Sequence, residues 1–230
     1  MKSFTTVEKG AKDALFAALA GLVIMTLLFM AAEPTVSRGA AASTTDVFTI
    51  RQQITDEISF LVPAADVTMN GAIQGVTGGT AHGTTTFVVR SNSNSGYTVD
   101  VAFSGTPAMR GETTNSQSLR NYGSSSEPTF LFFASSSAQF GYTVNASTTA
   151  DLDPSFLDNG SACNVGAADN VGGCWMGPST VPFRIINRTT PAGTGATTSM
   201  SFRVVVPSSP SPALDEDFYT ATATLTATNQ

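Results

Sequence analysis

Hydrophobic and polar residues alternate through most of the chain that follows Asp46. The first such run, VFTIRQQITDEISFLV at residues 47–62, is apolar at its even positions except Gln52 and Asp56. A period of two sends successive side chains to opposite faces of a strand. The run therefore predicts a long half-buried strand, which could pass from one sheet to another at a bulge. Its apolar face would comprise Phe48, Ile50, Ile54, Ile58, Phe60 and Val62.

Further strands follow at intervals, with turn residues between them. NSNSG at residues 92–96 supplies a hairpin connection, and PSSPSP at residues 207–212 forms a stiff connector that does not fit a central strand. No helical period is present after the N-terminal region. Eight or nine strands of this kind predict an all-β fold, an antiparallel β-sandwich preceded by one N-terminal hydrophobic helix. The other strand segments are 84–91, 96–103, 129–133, 139–144, 181–186, 199–206 and 218–228.

The N-terminus has a different pattern. A run of nineteen uncharged residues at positions 14–32 follows three lysines. Basic residues ahead of an uninterrupted apolar stretch are typical of an export signal. We therefore expect two regions: an export signal or membrane anchor with a short linker at residues 1–42, and a β-sandwich domain at residues 43–230.

Three fates of this N-terminal segment stay open. Ala40-Ala41-Ala42 offers the small residues that signal cleavage requires. The apolar run also approaches the ~20 residues that span a bilayer, which would make it a retained anchor. EKGA at residues 8–11 is similar to a pilin-type processing site, and in that case the apolar helix would pack inside a filament.

Charge is sparse and predominantly acidic. Charged residues make up 12% of the chain, about half of the ~25% in an average globular protein. Beyond Ala42 the sequence has seven arginines, fourteen acidic residues and no lysine. Because a phosphate backbone is bound by clustered basic residues, this composition argues against nucleic acid as a partner. A membrane would be a partner only through the N-terminal helix, if that helix is retained.

Cys163 and Cys174 are the only cysteines, and Trp175 is the only tryptophan. Metal sites use closely spaced ligand pairs, and thioredoxin-like centres have two residues between their cysteines, whereas ten separate these two. In an exported chain, such a pair predicts one disulfide that closes a loop. Trp175 is expected to pack over the sheet edge or the disulfide, and contact with a carbohydrate ligand is the alternative.

Residue types that support catalysis are few. His82 is the only histidine, and the Gly-x-Ser-x-Gly turn of serine hydrolases is not found. The acidic residues occur in loops with few aromatic neighbours, whereas glycosidases line a cleft with a pair of carboxylates. We therefore expect a protein that is not an enzyme and needs no cofactor, with His82 as a solvated turn residue.

The loop acids are candidate calcium ligands. Asp151, Asp153, Asp158 and Asn159 place several oxygen atoms within nine residues, and calcium prefers oxygen ligands carried on turns. The spacing of an EF-hand is absent, and the same residue types also stabilise turns by accepting backbone hydrogen bonds. Calcium binding and turn formation are therefore alternative roles for this loop.

Four stretches carry a resemblance to known proteins. They are GVTGGTAHGTTTFVVRSNSNSGYTVDVAFSGTPAM at residues 75–109, FGYTV at 140–144, CW at 174–175 and FYTATATLTAT at 218–228. The chain resembles uncharacterised secreted all-β surface proteins of candidate-phyla-type bacteria, and more distantly the sandwich domains of WxL-type and spore-coat-U-type surface proteins. The tryptophan-x-leucine signature of the WxL type is missing from TATLTAT. The resemblance implies an extracellular, surface-associated protein with a structural or adhesive role, and it implies no site residues.

Together these inferences predict a non-enzymatic β-sandwich protein that is exported to the cell surface or the extracellular space. Its expected partners are envelope or surface components and further copies of itself. One alternative is a pilin-like filament subunit, assembled through the apolar helix or through a donated strand. The other is a carbohydrate-binding module that uses Trp175.

Overall fold

A computed structural model describes residues 5–31, 44–114, 116–123, 126–132 and 135–230. The chain divides into two compact units, Met1–Gln52 and Gln53–Gln230. The predicted regions, residues 1–42 and 43–230, stay a prediction. The expected cleavage position at residues 40–42 and most of the predicted linker lie outside the described residues.

The first unit contains one helix, α1, which spans Thr5–Ala31. Its abundance of alanine, leucine and methionine favours a helix, because these residues lose little side-chain freedom there. Large apolar side chains of α1 are exposed, including Phe16 at 74% and Met30 at 78%. Of the helices in the described residues, none has the length and apolar character that a bilayer crossing requires.

The second unit is built from β-strands. Twelve strands lie in the described residues, rather than the eight or nine expected. The additional ones are short, and a run of two to four residues is too brief to show an alternating pattern. The strands are β1 Ile58–Val62, β2 Gly79–Ser91, β3 Tyr97–Phe103, β4 Met109–Gly111, β5 Ser118–Asn121, β6 Thr129–Phe130, β7 Gln139–Ala146, β8 Cys174–Trp175, β9 Phe183–Arg188, β10 Ala192–Val206, β11 Tyr219–Thr220 and β12 Ala223–Asn229.

The strands form three sheets. The largest has the order β1-β2-β10-β7-β5-β4-β11, a second has the order β12-β3-β9, and β6 pairs with β8. All of these pairs are antiparallel except β5 with β7, which pair in parallel through Arg120 opposite Gln139 and Asn121 opposite Phe140. The all-β prediction is confirmed, but the predicted regular sandwich is not, since the sheets curl into a half-barrel.

One hydrophobic core lies between the two larger sheets. In β2 the buried residues alternate with more exposed ones along the whole strand, as the sequence period predicts. Phe87 of β2, Val99 of β3 and Ile185 of β9 all have 0% exposure, and they belong to one cluster with Met200 of β10. Burial of such side chains contributes roughly 1.5–3 kcal/mol each to the free energy of folding.

Only the last five residues of the first predicted strand form a strand. Ile58 pairs with Ser91, the final residue of β2, so residues before Ile58 lie beyond the end of the neighbouring strand. Phe48, Ile50 and Ile54 are therefore not half-buried but exposed, at 78%, 84% and 84%. The prediction of a half-buried strand at residues 47–57 was wrong. An alternating pattern shows how apolar side chains are arranged along the chain, but not whether the fold buries them.

Candidate functional site: the disulfide loop and the β1/β12 seam

Cys163 and Cys174 form the predicted disulfide, with a Cα–Cα distance of 5.8 Å. Cys174 lies in β8, is 2% exposed and belongs to the main core, whereas Cys163 lies in the loop that precedes it. The bond therefore ties a loop without regular secondary structure directly to the core. This pairing was predictable because the chain has no other cysteine.

We call residues 157–173, which lead into β8 and contain Cys163, the disulfide loop. Asp158 is its polar centre, and it has 0% exposure. Its carboxylate accepts hydrogen bonds from the Gly160 N–H at 2.7 Å, the Asn170 side chain at 2.6 Å and the Asn170 N–H at 3.2 Å. Its backbone also pairs with Ala168 in both directions. Burial opposes ionisation, but the hydrogen bonds from Asn170 and Gly160 outweigh it and hold the pKa of Asp158 below its ordinary value.

Asp169 attaches the same loop to the end of β7. It accepts hydrogen bonds from the Asn145 side chain and, at 3.0 Å, from the Ala146 N–H. Burial raises the pKa of Asp169 above its ordinary value, and the nearby Asp158 charge adds to this, although the two hydrogen bonds act in the opposite direction. The two acids of the loop are therefore shifted in opposite directions by their surroundings.

The four candidate calcium ligands make separate contacts within the fold. Asp151 forms an ion pair with Arg188, Asp153 accepts from the Ser155 N–H at 3.0 Å, and Asn159 accepts from the Ala162 N–H at 3.0 Å. Among the described residues, no group of three or more acidic, histidine or cysteine side chains could hold a metal ion. The structure therefore does not bring Asp151, Asp153, Asp158 and Asn159 together, and it supports the turn-forming alternative.

Trp175 is buried rather than available to a ligand, with 5% exposure. Its indole N–H donates to the Gly172 carbonyl at 2.8 Å, and its ring meets the Phe132 ring edge-on at 5.3 Å between centroids. Phe132 in turn stacks on Tyr122 at 4.0 Å, and the Arg203 guanidinium lies 5.1 Å from the Phe132 centroid. Such contacts stabilise the pairing of β6 with β8.

A shallow groove of about 620 Å³ runs beside the disulfide. Residues 128–131 line one side and residues 160–163 line the other. Leu131 is 48% exposed in this groove, and its backbone N–H is bonded to the Gly173 carbonyl. The groove is lined by apolar side chains, serine and threonine hydroxyls and backbone, and it contains no acid or base that could transfer a proton.

His82 lies on β2 and not in a turn, contrary to expectation. Its side chain is exposed, and it pairs in register with Arg203 of β10. Partial desolvation, and then the Arg203 charge, lower the pKa of His82 below its ordinary value. The imidazole is therefore neutral over most of the physiological range, beside an arginine and not beside a carboxylate that could orient it as a base.

The residues that precede β1 are held in line with that strand by Asn92. The Asn92 N–H donates to the Glu57 carbonyl at 3.3 Å, which extends the β1–β2 register by one pair. The Asn92 side chain accepts from the Glu57 N–H at 2.6 Å and donates to the Thr55 carbonyl at 3.1 Å. We call these three hydrogen bonds the Asn92 clamp.

Beside the clamp, the edge strands of the two larger sheets meet. β1 and β12 each lie at the end of a sheet, and within the described part of the chain each pairs with one neighbour only. The two strands contact each other. Four of their side chains are partly buried against the core, namely Ile58, Phe60, Leu225 and Ala227. We call the contact between Ile58–Val62 and Ala223–Asn229 the β1/β12 seam.

The seam, and the exposure of the apolar residues before Ile58, were missed at the level of sequence. The signal that could have revealed them is the length of the run at residues 47–62, because strands of globular proteins have about five or six residues. The polar residues Gln52 and Asp56 also interrupt its apolar face.

The chain was compared with protein-family models, with curated proteins and with solved structures, and none of them matches. The resemblance to secreted surface proteins therefore stays a prediction. Function has to be argued from the geometry of the disulfide loop and the seam.

Proposed function

We propose that this chain is an exported, non-enzymatic protein that has a structural or adhesive role at the cell surface or in the extracellular space. The observation that carries the proposal is the Cys163–Cys174 disulfide. Disulfides persist in oxidising compartments and are rare where cellular thiol systems keep cysteines reduced. The lysines followed by an apolar run at the N-terminus support the same compartment.

The internal contacts of the polar side chains support a structural role. Asp151, Asp153 and Asp158 stabilise the fold through an ion pair, a turn and a buried hydrogen-bond network. Trp175, the only tryptophan and the predicted sugar contact, is buried in an aromatic cluster. Trp175 and the three acids therefore take part in internal contacts. In this proposal, the two larger sheets act as a β-sandwich whose edge strands meet at the β1/β12 seam.

Protease treatment of intact cells tests the location. Cells of the source organism are treated with an external protease, and the released peptides are identified by mass spectrometry. Peptides from residues 53–230 should be released before lysis, while those of an abundant cytosolic protein should be released only afterwards. Recovery of both sets only after lysis would overturn the proposal of export.

A glycan array tests the role. The full chain and its Trp175→Phe variant are applied to the same array, with the variant retaining an aromatic ring of similar shape. A structural protein should give no binding above background with either chain. Binding that depends on Trp175 would instead support the carbohydrate-binding alternative.

A further inference from the structure

Three asparagines of the chain, Asn145, Asn159 and Asn187, are each followed two positions later by serine or threonine. Asn-x-Ser/Thr is the acceptor pattern for N-linked saccharides in secreted proteins. Because serine and threonine are abundant in this chain, the pattern by itself selects none of the three. The structure distinguishes them, since transfer of a saccharide requires an exposed asparagine whose amide nitrogen is available.

Asn159 lies in an exposed turn of the disulfide loop, together with Gly160 and Ser161. Gly160 has a φ of +87°, a conformation that glycine adopts without strain. A Cβ atom added at Gly160 would have no neighbour within 4 Å, so open space surrounds the middle of the pattern. The whole acceptor pattern is therefore accessible from solvent.

The amide oxygen of Asn159 is held within this turn, while its amide nitrogen stays available. The oxygen accepts hydrogen bonds from the Ser161 N–H at 3.1 Å, the Ser161 hydroxyl at 2.9 Å and the Ala162 N–H at 3.0 Å. Within the described part of the chain, the Asn159 Nδ2 donates to no group. Donors on the oxygen stabilise the negative charge that develops there when Nδ2 loses a proton, and so they make the nitrogen easier to activate.

The other two asparagines are partly buried in strands, Asn145 in β7 and Asn187 in β9. The Asn145 Nδ2 donates to the Asp169 carboxylate, and the Asn187 side-chain oxygen accepts from the Gln230 side chain at 2.7 Å. Each asparagine is followed by a further strand residue. Extended backbone places the residue two positions on about 6.6 Å away, so at these positions the hydroxyl does not turn back to the amide.

We propose that Asn159 is an N-glycosylation site whose substrate is a saccharide carried on a lipid diphosphate. In the transfer, Nδ2 forms a bond to the anomeric carbon of the saccharide, and the bond from that carbon to the diphosphate oxygen breaks. The lipid diphosphate leaves with the electron pair of the broken bond, and a base of the transferase takes the Nδ2 proton. The inference rests on the proposed export, because N-linked saccharides are a feature of secreted chains.

The surface beside Asn159 has room for the saccharide. The groove of about 620 Å³ next to the disulfide is lined on one side by residues 160–163, which directly follow Asn159. Its lining includes no charged side chain. A neutral saccharide that lies along this groove would therefore bury no ionised group, and its hydroxyls would add polar surface next to Leu131, which is 48% exposed.

Glycopeptide mapping of the full chain tests the site. The chain is purified from the envelope and the culture medium of the source organism, and its peptides are analysed by mass spectrometry. Electron-transfer fragmentation keeps the saccharide attached and locates it on one side chain. The saccharide should be found on Asn159 and not on Ser161, while the peptides that contain Asn145 and Asn187 should be unmodified.

Ser161→Ala and Ser161→Thr are a matched pair of variants at an exposed position. Ser161→Ala removes the hydroxyl that the acceptor pattern requires and should abolish the modification, whereas Ser161→Thr keeps a hydroxyl and should retain it. Asn159→Gln should also abolish the modification, and Asn187→Gln should leave it unchanged. Urea denaturation of each variant shows that a loss of the saccharide is not a loss of the fold.

Four results would overturn the inference. An unmodified Asn159 in chain recovered from the envelope or the medium would do so and would leave the proposed export standing. Recovery of unmodified chain from the cytosol alone would overturn both proposals. A saccharide on Asn145 or Asn187 instead of Asn159 would mean that exposure of the turn does not select the acceptor. A saccharide that persists in Ser161→Ala would mean that it is attached by another route.

Discussion

The backbone N–H of Glu57 donates a hydrogen bond to the Asn92 side chain at 2.6 Å, one residue before β1 begins. This contact marks the point at which one continuous apolar pattern divides into two parts. After it, Ile58 and Phe60 contribute to the core, and before it, Ile54 is 84% exposed. Asn92 thus contacts the chain at the point where the exposed apolar residues end and β1 begins.

Asn92→Ala removes the two side-chain hydrogen bonds of the clamp but keeps the backbone pair with Glu57. We expect faster amide hydrogen exchange at Glu57 and a decrease in the free energy of unfolding of about 0.5–1.5 kcal/mol. Hydrogen exchange measured by NMR tests this. Asn94→Ala, in the exposed turn two residues later, is the matched control and should leave the Glu57 amide unchanged. Unaltered exchange at Glu57 in Asn92→Ala would show that the backbone pair alone holds the segment.

Asp158→Asn should destabilise the disulfide loop, because the amide NH2 replaces one of two accepting oxygens and would face either the Asn170 N–H or the donors of Gly160 and the Asn170 side chain. We expect a decrease in the free energy of unfolding of about 1–3 kcal/mol at neutral pH, measured by urea denaturation. Asp66→Asn, at an exposed loop position, is the control and should have little effect.

The effect of Asp158→Asn should depend on pH in a defined direction. The pKa of Asp158 is lower in the folded protein than its ordinary 3.8. A group with a lowered folded pKa contributes stability that is fully present above the ordinary value and is lost as the pH falls through the folded value. The difference in stability between the parent chain and Asp158→Asn should therefore be largest near neutral pH and should shrink as the pH falls below the ordinary value of 3.8. A difference that grows on acidification would contradict this assignment.

Gly141→Ala should destabilise the fold by about 1–3 kcal/mol through overpacking. A Cβ atom at this position would lie 2.9 Å from the Tyr122 Cβ and 3.0 Å from the Phe132 ring. Gly193→Ala is a closely matched control, since Gly193 also lies in a strand and a Cβ atom added there would have no neighbour within 4 Å. Thermal denaturation should show a lower Tm for the first variant and an equal or higher Tm for the second. Similar Tm values for the two would mean that Phe132 does not pack against β7.

The double variant Cys163→Ser/Cys174→Ser should lower the free energy of unfolding by about 3 kcal/mol. Without the bond, the unfolded chain has a higher conformational entropy, which favours unfolding. The two cysteines are 11 positions apart. In the native protein, neither thiol should react with an alkylating reagent until a reductant is added. The reduced parent chain should match the double variant in urea denaturation, and alkylation of the unreduced protein would show that the bond is not formed.

Sequence patterns were sufficient to predict the features that depend on local chemistry. Alternation in β2, β3 and β10 predicted strands because the side chains of a strand must separate into a core face and a solvent face. The Cys163–Cys174 bond was predictable because two cysteines allow a single pairing. The N-terminal helix followed from a run of residues that favour helices.

Other features depended on which residues meet across the fold. The sequence could not distinguish Ile54 from Ile58, because burial depends on whether β2 extends alongside them, and β2 ends at Ser91. It also could not decide between ligand and structural roles for Asp158 and Trp175. Those roles depend on Asn170 and Phe132, which only the folded backbone brings within reach. Composition and period therefore determined the all-β class and the disulfide, whereas tertiary pairing decided which apolar residues of the run at 47–62 lie against the core.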